Sequence, residues 1–168
     1  IGPETMVMRF LPDQPMHGRY AVDHGFLSPQ AGDECITINR TVNAFFKWEF
    51  NSCEMLVKRG TDGQPDQVYP IDYANACPDV AITSLHYYFP WAITQLVSWS
   101  VFCAVTGRKP RVDTNTRAWF DVADDPELNW SDKLGRYALM ADQYFEADTY
   151  REFCSTALAS LPEIVYEW

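Results

Sequence analysis

Residues 51 to 79 read NSCEMLVKRGTDGQPDQVYPIDYANACPD, and their pattern decides the fold class. Two strand-like runs, Phe50 to Arg59 and Gln67 to Tyr73, flank a turn built from Gly60, Thr61, Asp62, Gly63, Gln64 and Pro65. An antiparallel hairpin follows. With its centre at Gly63, residues whose numbers sum to 126 face each other, which sets Glu54 opposite Asp72 and Asn51 opposite Asn75. A slip of one residue would turn these side chains to the other face. Two carboxylates directly across an antiparallel pair repel, so something positive belongs between them. A hard divalent cation with oxygen ligands meets that need, and an Asn carbonyl nearby completes a set that Mg²⁺ or Mn²⁺ accepts. On pattern alone, a solvent-facing carboxylate pair neutralised by Lys58 or Arg59 stands beside it as an equal alternative.

Working outward from the hairpin, Thr5 to Phe10 reads as a strand that ends at Pro12, and Tyr20 to Val22 as a second short strand after a loop. Ser28-Pro29 is a helix start, with Ser as N-cap and Pro at the first helical position. Ala31, Cys35, Ile38, Val42 and Phe45 then mark one face of a helix ending near Trp48. Beyond Pro78 an irregular segment leads to a helix over Pro90 to Thr106, which Gly107 stops and Lys109-Pro110 bars from continuing. Val80 to Gly107 holds no Asp, Glu, Lys or Arg, long enough to raise the question of a membrane span. Thr94, Gln95, Ser98 and Ser100 interrupt the run, while Phe89, Ala92, Ile93, Leu96, Val97, Val101 and Ala104 recur at helical spacing, as in a core-facing helix of a soluble protein. The remainder predicts helices over 116 to 123, 131 to 145 with Ser131 as N-cap, and 149 to 161. The expected fold is α+β: over residues 1–110 a small antiparallel sheet packed by the Pro29 and Pro90 helices, and over 111–168 an acidic helical C-terminal extension packed on it.

Composition bounds the function. A chain of 168 residues, 47% hydrophobic and 15% aromatic, can bury a real core. Twenty-three acidic against 13 basic residues give a net charge of −10, which repels a nucleic-acid backbone and an anionic bilayer surface. Five cysteines without a CxxC pair fit a reducing cytoplasm better than a disulfide framework, and indicate no structural zinc. The opening Ile1-Gly-Pro-Glu-Thr is neither an initiator Met nor a signal core, as expected of a chain that starts within a domain. His17, His24 and His86 lack metal-ligand spacing, Ser84 lacks a nucleophile elbow, and Tyr87, Tyr88, Phe89 and Trp91 read most simply as core at a helix entrance. Cys53 and Cys77 flank the carboxylates, whose charge predicts raised thiol pKa values and buried, inert sulfurs.

The run Asn51-Ser-Cys-Glu-Met-Leu-Val, the Gly-containing turn and Val68 to Asp79 resemble the metal-binding hairpin of ATP-grasp ligases, and the resemblance extends over roughly Met6 to Gly107. It implies the C-terminal part of an ATP-dependent carboxylate-amine ligase, which makes an amide or peptide-like bond through an acyl phosphate. Carried over by position, Glu54 matches the first-strand carboxylate of the family, Asp72 the second, and Asn75 the Asn that completes the Mg²⁺ site. Arg9 resembles the base that faces the ATP phosphates from a neighbouring strand; by itself it reads equally as a surface Arg paired with Asp13 or Asp23. In the family the second-strand pair is two residues apart, whereas Asp72 and Asn75 are three apart, so a bulge must bring both to one face. Glu49 and Asn51 compete for the role of Glu54. The small subdomain with its adenine pocket, Lys and Gly-rich loop has no counterpart here, so the resemblance implies that the partner half lies elsewhere, and ATP, a carboxylate and an amine are the implied ligands. The alternative is a nucleotide- or metal-binding or interaction domain without catalysis.

Overall fold

The computed structural model of the protein describes residues 1–8, 27–78, 89–111 and 115–167. Among them the chain is α+β, with six helices and one two-stranded antiparallel sheet. The order is α1 (Pro29–Phe46), β1 (Asn51–Lys58), β2 (Gln67–Ala76), α2 (Phe89–Thr106), α3 (Arg117–Asp124), α4 (Trp130–Phe145), α5 (Ala147–Ala157) and α6 (Leu161–Tyr166). Thr5 to Met8, expected as part of a strand, pair with no strand among the described residues; the rest of that segment and the strand expected over 20 to 22 lie outside them.

Local chemistry sets the helix ends. Ser28 caps α1 through its Oγ, which accepts the Ala31 N–H at 3.3 Å, and Pro29 follows in the first turn. The same hydroxyl donates to Asp66 Oδ2 at 2.9 Å, while Asp66 Oδ1 accepts the Gly60 N–H at 3.0 Å. One carboxylate thereby ties the start of α1 to both sides of the hairpin turn. These bonds favour its charged form and hold its pKa below the usual value. At the other end Lys47 adopts a left-handed conformation, φ 63°, and its N–H closes the helix on Asn43 O. Asn129, and not Ser131, caps α4, because its side chain accepts the Asp132 N–H at 3.0 Å. The last expected helix is two: α5 stops at Ala157, and Pro162 in the first turn of α6 starts a new one.

The core gathers Trp99 and Phe102 of α2, Trp119 of α3, Tyr144 and Phe145 of α4 and Tyr150 of α5 around Ile1, with Ala44 of α1 beside them. Residues on both sides of position 110 share this one cluster. Trp99 lies 5.3 Å from Tyr150 and 5.9 Å from Phe145 between ring centroids, edge to face. Burying side chains of this size contributes roughly 1.5–3 kcal/mol each. Helix α1 packs on α4 and on the hairpin, where Trp130 donates its indole N–H to Glu34 at 2.8 Å and Arg40 pairs with Asp142.

Helix α2 departs from the expected arrangement twice. It packs against α5 and α6 instead of the hairpin. It also buries Ala92, Thr94, Ser98, Trp99 and Phe102, and so leaves Phe89, Val97 and Ala104 of the expected core stripe exposed. An uncharged helix carries no charged face to say which side turns inward, and the rings of Trp99 and Phe102 take the core, with Thr94 and Ser98 buried beside them. Among the described residues it is the one helix long and apolar enough to cross a membrane.

Candidate functional site

Along β1, Asn51 is buried and Cys53, Met55 and Val57 are half-buried, whereas Glu54, Leu56 and Lys58 are exposed. This is the period-2 alternation of a sheet with one solvated face. The register sets Glu54 opposite Asp72, as the pairing centred on Gly63 predicts. Asn51 faces Ala76 and not Asn75, because the register shifts twice along the hairpin. Below Glu54 the pairs run from Met55 with Pro70 to Lys58 with Gln67, which leaves Ile71 as an extra residue on β2. Above it Ser52 faces Asn75, so Tyr73 and Ala74 together oppose Cys53. β2 thus carries two more residues than β1, ten against eight.

The upper bulge joins the site. Asn75 Nδ2 donates to Ser52 Oγ at 2.9 Å, on the side chain two residues from Glu54 and therefore on the face of Glu54. The three-residue separation of Asp72 and Asn75 becomes one shared face. Inward-facing side chains fasten the bulge: Asn51 Nδ2 donates to Tyr73 O at 3.0 Å and the Cys53 thiol to the same oxygen at 3.6 Å. Asp72 Oδ1 accepts the Ala74 N–H at 3.3 Å, which orients that carboxylate from its own strand.

Among the described residues these contacts leave the Asn75 carbonyl and the second Asp72 oxygen without a hydrogen-bond partner, on the sheet face that carries Glu54 and Ser52. Oxygen donors with two negative charges fit Mg²⁺ or Mn²⁺. Among the described residues no group of three or more His, Cys, Asp or Glu could hold a metal ion, so a cation here depends on neutral oxygens beside the two carboxylates. Of the two expected neutralisers, Arg59 pairs with Asp66 at 3.4 Å, and Lys58 is exposed on the face of Glu54, four residues along β1. Arg9 lies outside the described residues.

The two competitors for the role of Glu54 have other work. Asn51 holds the bulge, and Glu49 belongs to a cluster behind the hairpin, where its Oε1 accepts the Tyr144 hydroxyl at 2.9 Å and lies 3.6 Å from Arg108. Of the flanking thiols, Cys53 is half-buried, and burial pushes its pKa up to about 11, opposed by the Asn51 hydrogen bond and helped less strongly by the Asp72 charge. Cys77, expected buried, is exposed.

The Glu49 cluster centres on Arg108, whose side chain is only 5% exposed. Its guanidinium lies 5.1 Å from the ring centres of both Trp99 and Tyr144, and it pairs with Glu146 at 2.9 Å. Burial first, and then the Glu49 charge, push the Tyr144 hydroxyl far above its usual pKa. The sequence carries a sign of this cluster, since Arg108 is the first charge after the uncharged run that ends at Gly107. A second unforeseen feature is a slot of about 230 Å³ between α1, α3 and α4, walled by Val42, Phe45, Phe46, Trp119, Phe120 and Tyr137. Val42 and Phe45, expected as core positions of α1, form part of its wall.

No protein-family model, no curated protein and no solved structure matches this chain.

Proposed function

We propose that Glu54, Asp72 and Asn75 hold a divalent cation, Mg²⁺ or Mn²⁺, on the solvent face of the hairpin, within the metal-binding part of an ATP-dependent carboxylate-amine ligase. One observation supports this above the rest: two carboxylates face each other across the strands while a bulge brings an amide carbonyl to the same face. Like charges so arranged weaken a sheet unless a counter-charge joins them. In such a ligase the cation neutralises phosphate oxygens as the γ-phosphoryl group passes to a carboxylate, before an amine displaces the phosphate. Glu54 and Asp72 supply the charge of the cage and Asn75 a neutral oxygen. Arg9 would face the phosphates, and the half carrying the adenine pocket would come from elsewhere. The setting would be cytoplasmic, away from nucleic acid and membrane.

A second reading, a cation-binding module without catalysis, is favoured by the exposure of Glu54, Asp72 and Asn75, since phosphoryl transfer calls for a site that excludes water. Melting curves with and without Mg²⁺ test the site itself. The wild type should gain stability from millimolar Mg²⁺, and Asp72→Asn should lose that gain while melting at the same or a higher temperature without metal. An Asp72→Asn protein that keeps the full Mg²⁺ response overturns the site. ATP-dependent phosphate release by the complete enzyme separates the two readings: the ligase requires turnover, falling at least about a hundredfold in Asp72→Asn, roughly 2.7 kcal/mol. Metal binding without any turnover favours the module.

A further inference from the structure

The solvent face of the hairpin carries more than the carboxylate pair. The register and the alternation along β1 line up three chemically distinct rungs on it: Glu54 with Asp72, then Leu56 with Tyr69, then Lys58 with Gln67. Negative charge, apolar surface and positive charge follow in that order along β1, about 7 Å apart. Leu56 is 59% and Tyr69 48% exposed, and among the described residues none of Glu54, Asp72 and Lys58 has an ion pair. Exposed apolar residues scattered singly need no partner, but these two stand directly opposite each other between unmatched charges of opposite sign.

The edge of β2 is a poor place for another strand. Pro70 has no N–H to donate and two register shifts bend the strand, both of which discourage pairing along an edge. A flat face of two strands gives a small molecule no concavity to enter. It fits a second face that carries the same rungs in reverse order, and another copy of this chain supplies that face. A two-fold axis lying across the strands at the Leu56–Tyr69 rung sets Leu56 on Leu56 and Tyr69 on Tyr69, while Lys58 of each copy meets Glu54 of the other and Gln67 meets Asp72. Gln67 is oriented for this contact. Its Oε1 accepts the Tyr69 hydroxyl at 2.8 Å, which leaves its amide N–H groups as donors to a carboxylate. An axis along the strands would instead set Glu54 against Glu54, so charge chooses between the two arrangements.

We propose that the chain self-associates through the solvent face of its hairpin, about a two-fold axis at the Leu56–Tyr69 rung, with Lys58 and Gln67 of each copy on Glu54 and Asp72 of the other. Strands of eight and ten residues make a small face, which places the pair among weak, transient contacts. The net charge of −10 on each copy confines it to salt that screens charges beyond about 8 Å. The ammonium of the second copy and a divalent cation are alternative counter-charges for the same carboxylates. The contact therefore needs no metal and is tested apart from the cation site.

Sedimentation equilibrium in EDTA at about 0.15 M salt, from about 10 µM to about 500 µM protein, reads the association. The wild type should show a reversible monomer–dimer equilibrium in that range. Lys58→Glu and Glu54→Lys should each weaken it about tenfold or more, with melting behaviour near the wild type because both side chains are exposed. An equimolar mixture of the two variants restores opposite charges at both Lys58–Glu54 contacts and should dimerise within about threefold of the wild type. A wild type that stays monomeric throughout, or a dimer that neither charge reversal weakens, overturns the proposal. A mixture no tighter than its two components overturns the two-fold arrangement.

Discussion

Gly2 sits where two constraints meet. Its φ is +52°, and a Cβ there would lie 2.5 Å from two atoms of the Trp99 indole. The backbone therefore runs flat against the largest ring of the core, an approach open only to a residue without a side chain. Gly2→Ala should cost about 2–4 kcal/mol, from the left-handed conformation and from overpacking together. Gly135, exposed in the middle of α4 with nothing within 4 Å of its virtual Cβ, makes the matching control. Gly135→Ala should gain about 0.4–1 kcal/mol through the unfolded chain and helix propensity. Denaturant melts of the two variants check both signs, and a Gly2→Ala protein as stable as the wild type would remove the close packing of this segment on Trp99.

At the level of elements, the hairpin was legible in its turn residues, and the helices in their caps and periodicity, because local chemistry decides both. Ser28-Pro29 and Gly107 mark ends that depend on nothing far away. The face that α2 buries was not legible, since an uncharged helix offers its neighbours several apolar sides and tertiary packing chooses among them. The bulges were half-legible. The three-residue spacing of Asp72 and Asn75 demanded a bend, but only the structure shows Asn51 and Cys53 reaching beneath the strand to Tyr73 O. This division of labour has a consequence for the candidate cation site. Asn51→Ala removes the stronger of the two donors to that carbonyl, at a cost of about 0.5–1.5 kcal/mol for one partly buried hydrogen bond. It should also weaken the Mg²⁺ response without touching any proposed ligand, because Asn75 reaches the face of Glu54 only through the bulge. Melting curves with and without Mg²⁺ read both effects. Loss of stability with the full metal response retained would mean that Asn75 is no ligand.

Across the whole molecule, four arginines tie distant parts of the chain together, two of them, Arg40 and Arg108, with largely buried side chains. Arg40, Arg108, Arg136 and Arg151 each pair with carboxylates from other parts of the chain, which leaves the surface predominantly acidic. Arg108 does the most, because it stands just after α2 and joins Glu49, between α1 and β1, to Glu146, at the corner of α4 and α5. Three distant parts of the sequence meet at one guanidinium, held between Trp99 and Tyr144. Removing it leaves Glu49 largely buried with an unpartnered Oε2 and no counter-charge. A fully buried broken pair costs about 3–5 kcal/mol; here Glu49 and Glu146 keep partial access to water, so Arg108→Ala should cost about 2–4 kcal/mol. Arg108→Lys should recover less than half of that, since a compact ammonium neither fills the space between two rings nor spans two carboxylates. Both variants should still unfold in one transition, because Trp99 and Phe102 on one side of position 110 pack with Phe145 and Tyr150 on the other. Urea melts followed by tryptophan fluorescence and by far-ultraviolet circular dichroism test this directly. Coincident curves with a lowered midpoint are the expected result, and two separate transitions would mean that residues 1–110 and 111–168 hold together without a common core.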